Sequence, residues 1–585
     1  MKSSITSNGL TLRVIAGTHS AIIGIDLQEN KRAGCLGFSI QRTDLGPASG
    51  AAGGVVKPPR WLPNMLRFAT APPLAAGAFA TTDTAPLQKF RWGDYALYPG
   101  QRYRFRVVPR YGTPDKLLWN SGGDDPSDAD GVSVEVTTED PTHPDTMVFF
   151  NRAAAASEAF NSKFPNVKDV SEDSPEAALA RKWLSNGLEE GLLAYLAQAA
   201  GPGYALHAAI YEFQKPSLLA ALKAVAQTGA AVEVVYHARQ KAAGEAATDA
   251  TKAKNEQAIT DAGLAGVPGL TLRPRQADPQ AAIMHDKFVI LLKKDAAGAL
   301  QPIAVWTGST NWTDGGLYGQ LNVGHAVFEA KTAATYEQCF QLLAPDPTAH
   351  DLKHALEGLT PVSLLLPNGE QVVPVFSPQN NDTMLHLYAS LCAGARCLFV
   401  SAPFALSPIV LAALTKRPPG TAQFMLLDKA GALGTGEEVK IIQDDPASSI
   451  AVATTLSSPL HDYQNRLLDE HEGFHHAGIH IHAKIILADP FSSDPILVTG
   501  SANFSSNSTV TNDSNSLVVR GHTAVADIYA TDFMRMFEHY HFRASLAKAP
   551  ITQPLGLKSD ASWADKYYVK DSPDARDRCL FAGTL

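Results

Sequence analysis

The sequence predicts an α/β fold of two similar lobes, preceded by a separate all-β domain. Three observations support this prediction. Short strands of alternating polarity fill the first 140 residues, strand–helix–strand units follow twice, and a His-x-Lys tripeptide occurs at His285 and again 197 residues later at His482. The 585 residues are sufficient for three domains. Because both halves carry the same polar tripeptide, we expect them to build one site together.

Residues 1–140 are predicted to form a β-sandwich accessory domain. Arg102–Val108 and Val132–Val136 alternate polar and apolar residues with the period of a strand that has one buried face. A Gly-, Pro- and Ala-rich stretch over roughly residues 44–88 is predicted to be a long loop. Tyr98–Val107 resembles the tyrosine-bearing strand of a fibronectin type III-like sandwich.

From about residue 145 the chain becomes an internal repeat of strands and helices. An apolar strand at Ala208–Phe213 precedes a helical run at Pro216–Thr228 and a strand at Val232–Tyr236, and the second half repeats this order between Leu398 and Leu427. Such alternation requires crossover connections and a covered, partly parallel sheet. We expect a first lobe over 145–357, a second lobe over 358–548, and a C-terminal tail, 549–585, that packs on the two lobes.

The composition is that of a soluble globular protein, with 45% hydrophobic and 18% charged residues. No apolar run reaches the ~18 residues of a membrane span, and the N-terminus lacks the apolar core of a signal peptide, so we expect a cytoplasmic protein without membrane insertion. The five cysteines form neither a disulfide framework nor a zinc pattern.

The net charge of −9 argues weakly against a large nucleic-acid surface but is compatible with a local basic groove. Lys287 is one candidate for such a groove. Four further basic residues are candidates too, although an ordinary solvated surface is the favoured interpretation for them: Lys293, Lys294, Arg273 and Arg275.

The two His-x-Lys tripeptides lie on predicted strands. At a period of two, His482 and Lys484 share one face of the strand predicted over Gly478–Leu487, and His285 and Lys287 share a face in the first copy. A second predicted strand follows each tripeptide and ends in Gly-Ser-x-Asn, at Gly308–Asn311 and at Gly500–Asn503. Each turn can bring a hydroxyl and an amide beside the imidazole and the ammonium group.

These motifs resemble those of the phospholipase D superfamily, whose signature is His-x-Lys-x4-Asp followed by Gly-Ser-x-Asn. The second copy fits fully, with Asp489 in the aspartate position, whereas the first copy has Leu292 there and Asp295 three residues late. Many relatives have Asn-x-Glu-Asn downstream. This chain has Asn512-Asp513-Ser514-Asn515 and, in the first copy, Gln320-Leu321-Asn322. The resemblance covers residues 145–545.

The resemblance implies two phospholipase D-like α/β lobes related by a pseudo-twofold axis, and metal-independent phosphodiester hydrolysis through a covalent phosphohistidine, without a cofactor. One histidine attacks phosphorus, and the other protonates the leaving alcohol and then activates water. We expect His285 to attack and His482 to be the acid/base, with the reverse assignment open. Since the motif aspartate is a supporting residue in the family, we expect activity to survive Leu292.

The lysines and asparagines are expected to hold the phosphate oxygens. The implied catalytic residues are His285, Lys287, Asn311, His482, Lys484, Asp489 and Asn503, and the implied substrate-binding residues are Gly308, Ser309, Gly500 and Ser501.

Two features have competing interpretations. Several histidines precede the second motif and could suggest a metal site, but no carboxylate or cysteine pattern completes a ligand set, and a loop at the mouth of the site is favoured. These are His471, His475, His476 and His480. Trp312 and Phe504 follow the motif asparagines and either wall the pocket or belong to the core.

The sequence leaves the substrate open. A nuclease is slightly favoured, because no anchor or signal peptide is visible. A phospholipase D that hydrolyses or exchanges lipid headgroups is the alternative; it should display exposed apolar loops near the site, for which Ala71–Ala76 is a candidate. A non-catalytic binding protein on the same scaffold is a third reading, which the intact second motif disfavours.

Overall fold

The computed structural model describes the whole chain except residues 49–55, 73, 75–77, 123–126, 128–129, 143–144, 154–158, 161–162, 240–249, 278–281, 360–368, 370, 417, 419, 434–439, 441, 444, 446–447, 454–479 and 549–555. Two large sheets lie in the N-terminal region and one in each of the two lobes that follow. The predicted fold class is confirmed: two mixed α/β lobes after an all-β region of antiparallel sheets.

The N-terminal region pairs a sheet of order β1-β2-β3-β8 with one of order β10-β9-β4-β5, in which β11 also pairs with β9. Apolar side chains of both sheets, such as Leu12, Ile23 and Phe105, form one core. The strands are β1 Lys2–Ser7, β2 Leu10–Ala16, β3 Ala21–Leu27, β4 Gly37–Pro47, β5 Val56–Trp61, β6 Pro63–Asn64, β7 Ala80–Thr81, β8 Arg91–Asp94, β9 Gln101–Thr113, β10 Lys116–Leu118 and β11 Val132–Thr137. The fibronectin type III likeness stays a prediction; the hydroxyl of Tyr103 accepts a hydrogen bond from the backbone N–H of Tyr98.

The stretch predicted as a loop over 44–88 contains three of these strands, so that prediction was wrong in part. β5 lies along β4 at the edge of its sheet, and β6 pairs with β7. Pro58 and Pro59 within β5 lack the N–H of a central strand, which an edge strand tolerates. The high Pro, Gly and Ala content therefore hid short edge strands.

Each lobe is a seven-stranded sheet flanked by helices. The first lobe contains β12 Thr146–Phe150, α1 Pro175–Ser185, α2 Leu188–Ala197, β13 Tyr204–Ile210, α3 Pro216–Gln227, β14 Ala231–His237, α4 Thr251–Asp261, β15 Leu270–Arg275, β16 Lys287–Lys294, β17 Leu300–Gly308, β18 Val323–Val327, α5 Ala330–Leu343 and α6 Ala349–Leu359. The second contains β19 Gln371–Ser377, α7 Thr383–Gly394, β20 Cys397–Ala402, α8 Pro408–Thr415, β21 Ala422–Leu427, β22 Ser448–Val452, β23 Ile485–Ala488, β24 Ile496–Gly500, β25 Ser514–Arg520 and α9 Thr523–Lys548.

The two sheets have the same topology. The strand orders are β12-β18-β17-β16-β13-β14-β15 and β19-β25-β24-β23-β20-β21-β22, and in each the last three strands are parallel while the remaining neighbours are antiparallel. The central strands β16 and β23 are apolar on both faces, as expected for strands covered on both sides. Both motifs therefore occupy equivalent places at the centre of equivalent sheets.

The inner faces of the two sheets share one hydrophobic core with α5 and α9. Phe288 of the first lobe and Phe399 of the second belong to it, and Phe399 stacks on Phe533 of α9 with ring centroids 4.7 Å apart. Each such buried phenylalanine contributes about 1.5–3 kcal/mol. Because the core is continuous, the lobes are held in a fixed relation that a shared site requires.

The C-terminal segment, expected on the two lobes, lies between the N-terminal region and the second lobe. Trp563 belongs to the N-terminal core, and its indole N–H donates to the Cys35 carbonyl at 2.9 Å. In the last helix, α10 Pro573–Ala582, Phe581 packs on Phe424 of the second lobe with ring centroids 5.8 Å apart. Among the described residues, no helix combines the length and apolar composition needed to cross a membrane.

Candidate active site

The two His-x-Lys segments lie just before β16 and β23, where each leaves its own sheet to contact the other lobe. Regular strand begins only at Lys287 and at Ile485, so the prediction of a strand through His482 and Lys484 was wrong at its start. Instead of pairing with a neighbouring strand of its own sheet, each segment pairs with residues of the opposite lobe. The N–H of His285 donates to the Asp513 carbonyl at 2.7 Å, and that of His482 donates to the Leu321 carbonyl at 3.0 Å. The contact between the lobes thus brings the motifs together.

The two motif histidines face each other in a buried setting. The ring centroids of His285 and His482 are 6.3 Å apart and the rings are inclined by 74°. Only 5% and 4% of these residues are exposed. The structure therefore brings together the two motif histidines, one from each lobe.

The imidazole of His482 is fixed by two acceptors of the first lobe. Its Nδ1 lies 3.0 Å from the Ser309 carbonyl and 3.0 Å from Oδ1 of Asn322. The amide of Asn322 is itself oriented, since its Oδ1 accepts from the Ser309 hydroxyl at 2.8 Å and its Nδ2 donates to the Gly316 carbonyl at 2.9 Å. Because both partners of Nδ1 are acceptors, Nδ1 carries the proton, and Nε2 of the neutral ring keeps its lone pair.

The imidazole of His285 is held differently. Its Nδ1 makes no hydrogen bond of good geometry with the described residues, although the Ser501 carbonyl lies near enough to raise the pKa of the ring against the larger, lowering effect of burial. The ring of Tyr211 packs on it, with centroids 5.2 Å apart.

The second copy has a serine where the first has Asn322. Gly308 pairs with Gly324 in the first sheet, and Gly500 pairs with Ser516 in the second. Asn322 and Ser514 each lie two residues before these partners and therefore correspond to each other. The Ser514 hydroxyl has no hydrogen-bond partner among the described residues.

The two motif lysines are buried beside the histidines. Their ammonium groups donate to the carbonyls of their own motif histidines, Lys287 to His285 at 2.7 Å and Lys484 to His482 at 2.8 Å. Burial lowers the pKa of Lys287 to about 7, against the opposing charges of Glu212 and Asp286. Burial and the neighbouring lysine lower the pKa of Lys484, and burial and both lysines lower those of the two histidines. An anion between them relieves this repulsion.

The Gly-Ser pairs build the turns beside the histidines. Gly308 and Gly500 have φ angles of 145° and 144°, and a Cβ there would lie 2.3 Å from the Val323 carbonyl oxygen and 2.4 Å from that of Asn515. Only glycine fits. The serine hydroxyls are used within the lobes, where each accepts a backbone N–H: Ser309 from Val323 at 3.1 Å and Ser501 from Asn515 at 3.0 Å. Substrate binding by the four Gly-Ser residues stays a prediction.

The motif asparagines end the two Gly-Ser-x-Asn turns. Asn311 is buried and Asn503 half-buried, and the side-chain oxygen of each has no hydrogen-bond partner among the described residues. A carboxamide in this state can turn its NH2 group toward an anion. Trp312 and Phe504, which follow them, are buried in the cores on the outer faces of the two sheets rather than lining a pocket.

Asp489, predicted as catalytic, lies away from the histidines. It ends β23 with a left-handed φ of 50°, and its Oδ1 accepts the backbone N–H groups of Arg396 and Cys397 at 2.8 Å each. It is five residues beyond Lys484, which amounts to about 17 Å along a strand. In the first copy Leu292 continues β16 to Lys294, and Asp295 occupies the turn that follows, as expected.

Several residues that the motif analysis did not single out contribute to the site. Asn322 orients His482, Tyr211 packs on His285, and Glu212 follows β13 within electrostatic range of both motif lysines. Many relatives have a glutamate where this chain has Ser514, and Asn322 is the residue of the first copy that corresponds to Ser514. This correspondence is the sequence signal that could have pointed to Asn322. Of the histidines considered for a metal site, His471, His475 and His476 lie outside the described residues, and no cluster of metal-ligating side chains occurs among those described.

Comparison with known proteins agrees with this arrangement. The family model described as "Cardiolipin synthase, PLD-like domain" matches residues 192–343 and 425–537, one segment in each lobe. Each matched segment contains one His-x-Lys motif and the Gly-Ser-x-Asn that follows it. No curated protein matches the chain.

Solved structures similar to the chain have low identity. Phosphatidylserine synthase from Haemophilus influenzae is 12% identical over 68% of this chain and 90% of its own, with a TM-score of 0.42. The phospholipase D family member Nuc from Salmonella typhimurium is 19% identical over 29% of this chain and 96% of its own, with a TM-score of 0.21. Polyphosphate kinase from Porphyromonas gingivalis is 10% identical over 56% of this chain, which spans 45% of the kinase, with a TM-score of 0.35.

Proposed function

We propose that the PLD-like lobes form a phosphodiesterase that works through a covalent phosphohistidine without a metal ion. The observation that carries this proposal is the pair of buried histidines, 6.3 Å apart, flanked by two buried lysines. The lysines and the motif asparagines supply the positive charge and hydrogen-bond donors that the phosphoryl oxygens need. The histidines supply a nucleophile and a proton donor.

In this proposal His482 is the nucleophile, the reverse of the assignment suggested by family resemblance. A nucleophile needs a neutral ring with a fixed tautomer and a free Nε2 lone pair, and the Nδ1 contacts of His482 to Ser309 and Asn322 provide this. His285 has the Ser501 carbonyl near its ring but no side chain that corresponds to Asn322, and in this proposal it exchanges protons. Both roles operate on the same phosphate.

The reaction takes place in two displacements at phosphorus. The bound phosphate anion favours the protonated form of His285. Nε2 of neutral His482 forms a bond to phosphorus, the bond from phosphorus to the leaving oxygen breaks, and the imidazolium of His285 gives that oxygen a proton and becomes neutral. A water molecule then gives a proton to His285 and attacks phosphorus, the P–N bond breaks, and His482 is regenerated. An alcohol in place of water gives exchange instead of hydrolysis.

Within the two substrate classes that the sequence left open, the charges favour a phospholipid over nucleic acid. The Glu212 carboxylate lies near both motif lysines, where it opposes a polyanion. The further basic residues considered for a groove are elsewhere: Lys293 and Lys294 lie at the far end of β16, Arg273 pairs with Glu233, and Arg275 is buried against Asp513 and Asp346.

An exposed aromatic residue also supports a lipid substrate. Phe404 follows β20 as Glu212 follows β13, so it lies at the motif end of the second sheet, and it is 43% exposed. A lipid enzyme is expected to display apolar groups there. The other candidate, Ala71–Ala76, lies partly outside the described residues. The description of the matching family model, which names a phospholipid, agrees with this choice.

The substrate is tested by incubating the protein with EDTA against phosphatidylcholine and phosphatidylglycerol vesicles, single-stranded DNA, RNA and duplex DNA. We expect the wild type to release headgroups from lipid and to leave all three nucleic acids intact. Products from nucleic acid alone would overturn the substrate assignment, and loss of activity on chelation would overturn the metal-free step.

The roles of the histidines are tested with a diester of p-nitrophenol, whose leaving group needs no proton. We expect His285→Ala to release one equivalent of p-nitrophenol in a burst and to accumulate phosphate on His482, whereas His482→Ala does neither. Phosphate trapped on His285 in the His482→Ala protein would reverse the assignment.

A further inference from the structure

The middle residue of the first motif, Asp286, is bound to the opposite lobe. It is 2% exposed, and its Oδ1 accepts a hydrogen bond from Nδ2 of Asn515 at 2.7 Å. The corresponding residue in the second motif is Ala483. The residue that corresponds to Asn515 in the first lobe is Val323, since these precede the equivalent residues Ser516 and Gly324 by one position. The first copy of the repeat therefore has a hydrogen-bonded pair where the second copy has two apolar side chains.

The amide of Asn515 is fixed at both ends. Its Oδ1 accepts from the hydroxyl of Thr307 at 2.7 Å and from that of Tyr336 at 3.1 Å. With the oxygen occupied by two donors, the NH2 group must face an acceptor, and Asp286 is that acceptor. A single buried side chain of the second lobe is thus held by three residues of the first.

The same asparagine is joined to the surroundings of His285. Its backbone N–H and its Nδ2 both donate to the Ser501 hydroxyl, at 3.0 and 3.2 Å. The Ser501 carbonyl in turn lies beside the His285 ring and raises its pKa against the larger effect of burial. Asp286 is covalently next to His285. A closed path therefore runs from His285 through Asp286, Asn515 and Ser501 back to the His285 ring.

We propose that Asp286 is a positioning residue for His285, which it holds in register with the second lobe through Asn515. His482 is oriented by two hydrogen bonds of its own ring, whereas His285 depends on this path. The inference rests on the proposed function of the two histidines.

The second copy shows that the fold does not need a carboxylate at this place. Ala483 and Val323 occupy the equivalent positions, and both are buried in the shared core. An acid in such surroundings is unfavourable unless it is paired, and burial raises the pKa of Asp286 to about 7. A costly polar pair in one copy alone is consistent with a task that only His285 has.

The test exchanges the two partners. Asn515→Asp places two carboxylates against each other, and we expect kcat on a phosphodiester to fall by on the order of 100-fold, as a misplacement of about 1 Å does, with KM changing less than about twofold. The double variant Asp286→Asn/Asn515→Asp restores a donor facing an acceptor, and we expect it to recover kcat to within about tenfold of the wild type. Tyr529→Phe is the control in the other copy, where Val323 stands in place of Asn515 and the Tyr529 hydroxyl lies 3.4 Å from that of Thr499; we expect its kcat to stay within about twofold of the wild type.

A second readout separates this inference from the proposed function. The His285 amide is bound to Asp513, so its hydrogen exchange reports the position of the motif without any substrate. We expect exchange over residues 283–287 to rise in Asn515→Asp and to return in the double variant. If the wild type cleaves no diester, the proposed function fails, and exchange still tests the path. Should Asn515→Asp not fold, Asp286→Leu takes its place. Wild-type kcat and exchange in that variant, or no recovery in a folded double variant, would overturn the inference.

Discussion

Two equivalent contacts between the lobes differ in their side chains although their backbones agree. We call these two contacts seams. In the first seam, residues 283–287 lie against Asp513–Asn515, and in the second, residues 480–484 lie against Leu321–Val323. Two backbone hydrogen bonds recur in both seams, and one of them joins the N–H of Asp513 to the Ile283 carbonyl at 3.1 Å and, in the second seam, the N–H of Leu321 to the His480 carbonyl at 2.8 Å. The second seam has one more, from the N–H of Ala483 to the Leu321 carbonyl at 2.8 Å. Where the first seam has the charged Asp513, the second has the apolar Leu321, and we call them the charged seam and the apolar seam after these two residues.

The charges of the first seam form a buried network. Asp513 is bound by Arg239 at 3.2 Å and by Arg275 at 3.0 Å, and Arg275 also pairs with Asp346 at 2.7 Å. Its counterpart in the second seam, Leu321, is a fully buried core residue. A repeated backbone with unequal side chains thus places the two motif histidines in different surroundings, as the proposed division of roles between them requires.

The largest effect is expected from breaking the charged seam. Arg275→Met leaves Asp513 with one partner, and we expect the free energy of unfolding to fall by about 3 kcal/mol, since removal of one member of a buried ion pair strands the other charge. Urea unfolding followed by tryptophan fluorescence measures this change.

The apolar seam supplies the control. Because Leu321 serves where Asp513 does, the triple variant Arg239→Met/Arg275→Met/Asp513→Leu should return to within about 1 kcal/mol of the wild type. A triple variant as unstable as the single one would show that the first seam needs its charges to fold.

The next effect concerns the orientation of His482. Asn322→Ala removes an acceptor from its Nδ1, and we expect kcat to fall by on the order of 10- to 100-fold, because the ring loses its fixed position and tautomer. The counterpart, Ser514→Ala, removes a hydroxyl that has no partner among the described residues, and kcat should stay within about twofold. Steady-state kinetics on one diester compares the two, and equal losses would remove the distinction between the histidines.

The motifs themselves predicted how the lobes are built and which residues meet. Two copies of His-x-Lys and Gly-Ser-x-Asn were enough to expect equivalent places in equivalent sheets, because both copies sit in the same order of strands. The glycines were also informative, since Gly308 and Gly500 occupy backbone conformations that other residues avoid.

What the motifs could not predict depends on contacts between the lobes. Asp489 matches the signature by spacing, but spacing does not show that β23 ends there, so its carboxylate caps β20 instead. Asn322 and Asp286 make their contacts across the lobe interface. Asn322 contacts His482, which is 160 residues away in the sequence, and Asp286 contacts Asn515, which is 229 residues away. Strand periodicity also failed at His482, because the segment pairs with the opposite lobe rather than with its own sheet.

A smaller effect links the buried lysines to pH. Burial lowers the pKa of Lys287 to about 7, whereas an unfolded lysine has a pKa of about 10.4. Between these values the native protein binds fewer protons than the unfolded chain. The free energy of unfolding should therefore rise with pH across this window, by up to about 1.4 kcal/mol per pH unit for this one group, and the contribution is constant below pH 7.

Urea unfolding at pH 7 and pH 9 measures the slope, which Lys287→Met should reduce. Inorganic phosphate, which stabilises the charged lysine in the native state, should reduce it as well. Lys484→Met is the matched variant in the other motif, since the pKa of Lys484 is also lowered. An unchanged slope in both variants would contradict the lowered pKa values of the two motif lysines.

The smallest effect is expected at the motif aspartate. Asp489→Ala removes the acceptor of two backbone N–H groups and places alanine at a left-handed φ of 50°, so we expect stability to fall by about 1–2 kcal/mol. Asp489→Asn keeps an acceptor and a residue that tolerates this conformation, and it should cost less. Activity should be within about twofold of the wild type in both, because neither change reaches the histidines. Asp295→Ala, in the corresponding turn of the first lobe, is the control for a surface turn. A large loss of kcat in Asp489→Asn with normal stability would restore the aspartate to the catalytic set and make the second motif functionally more complete than the first.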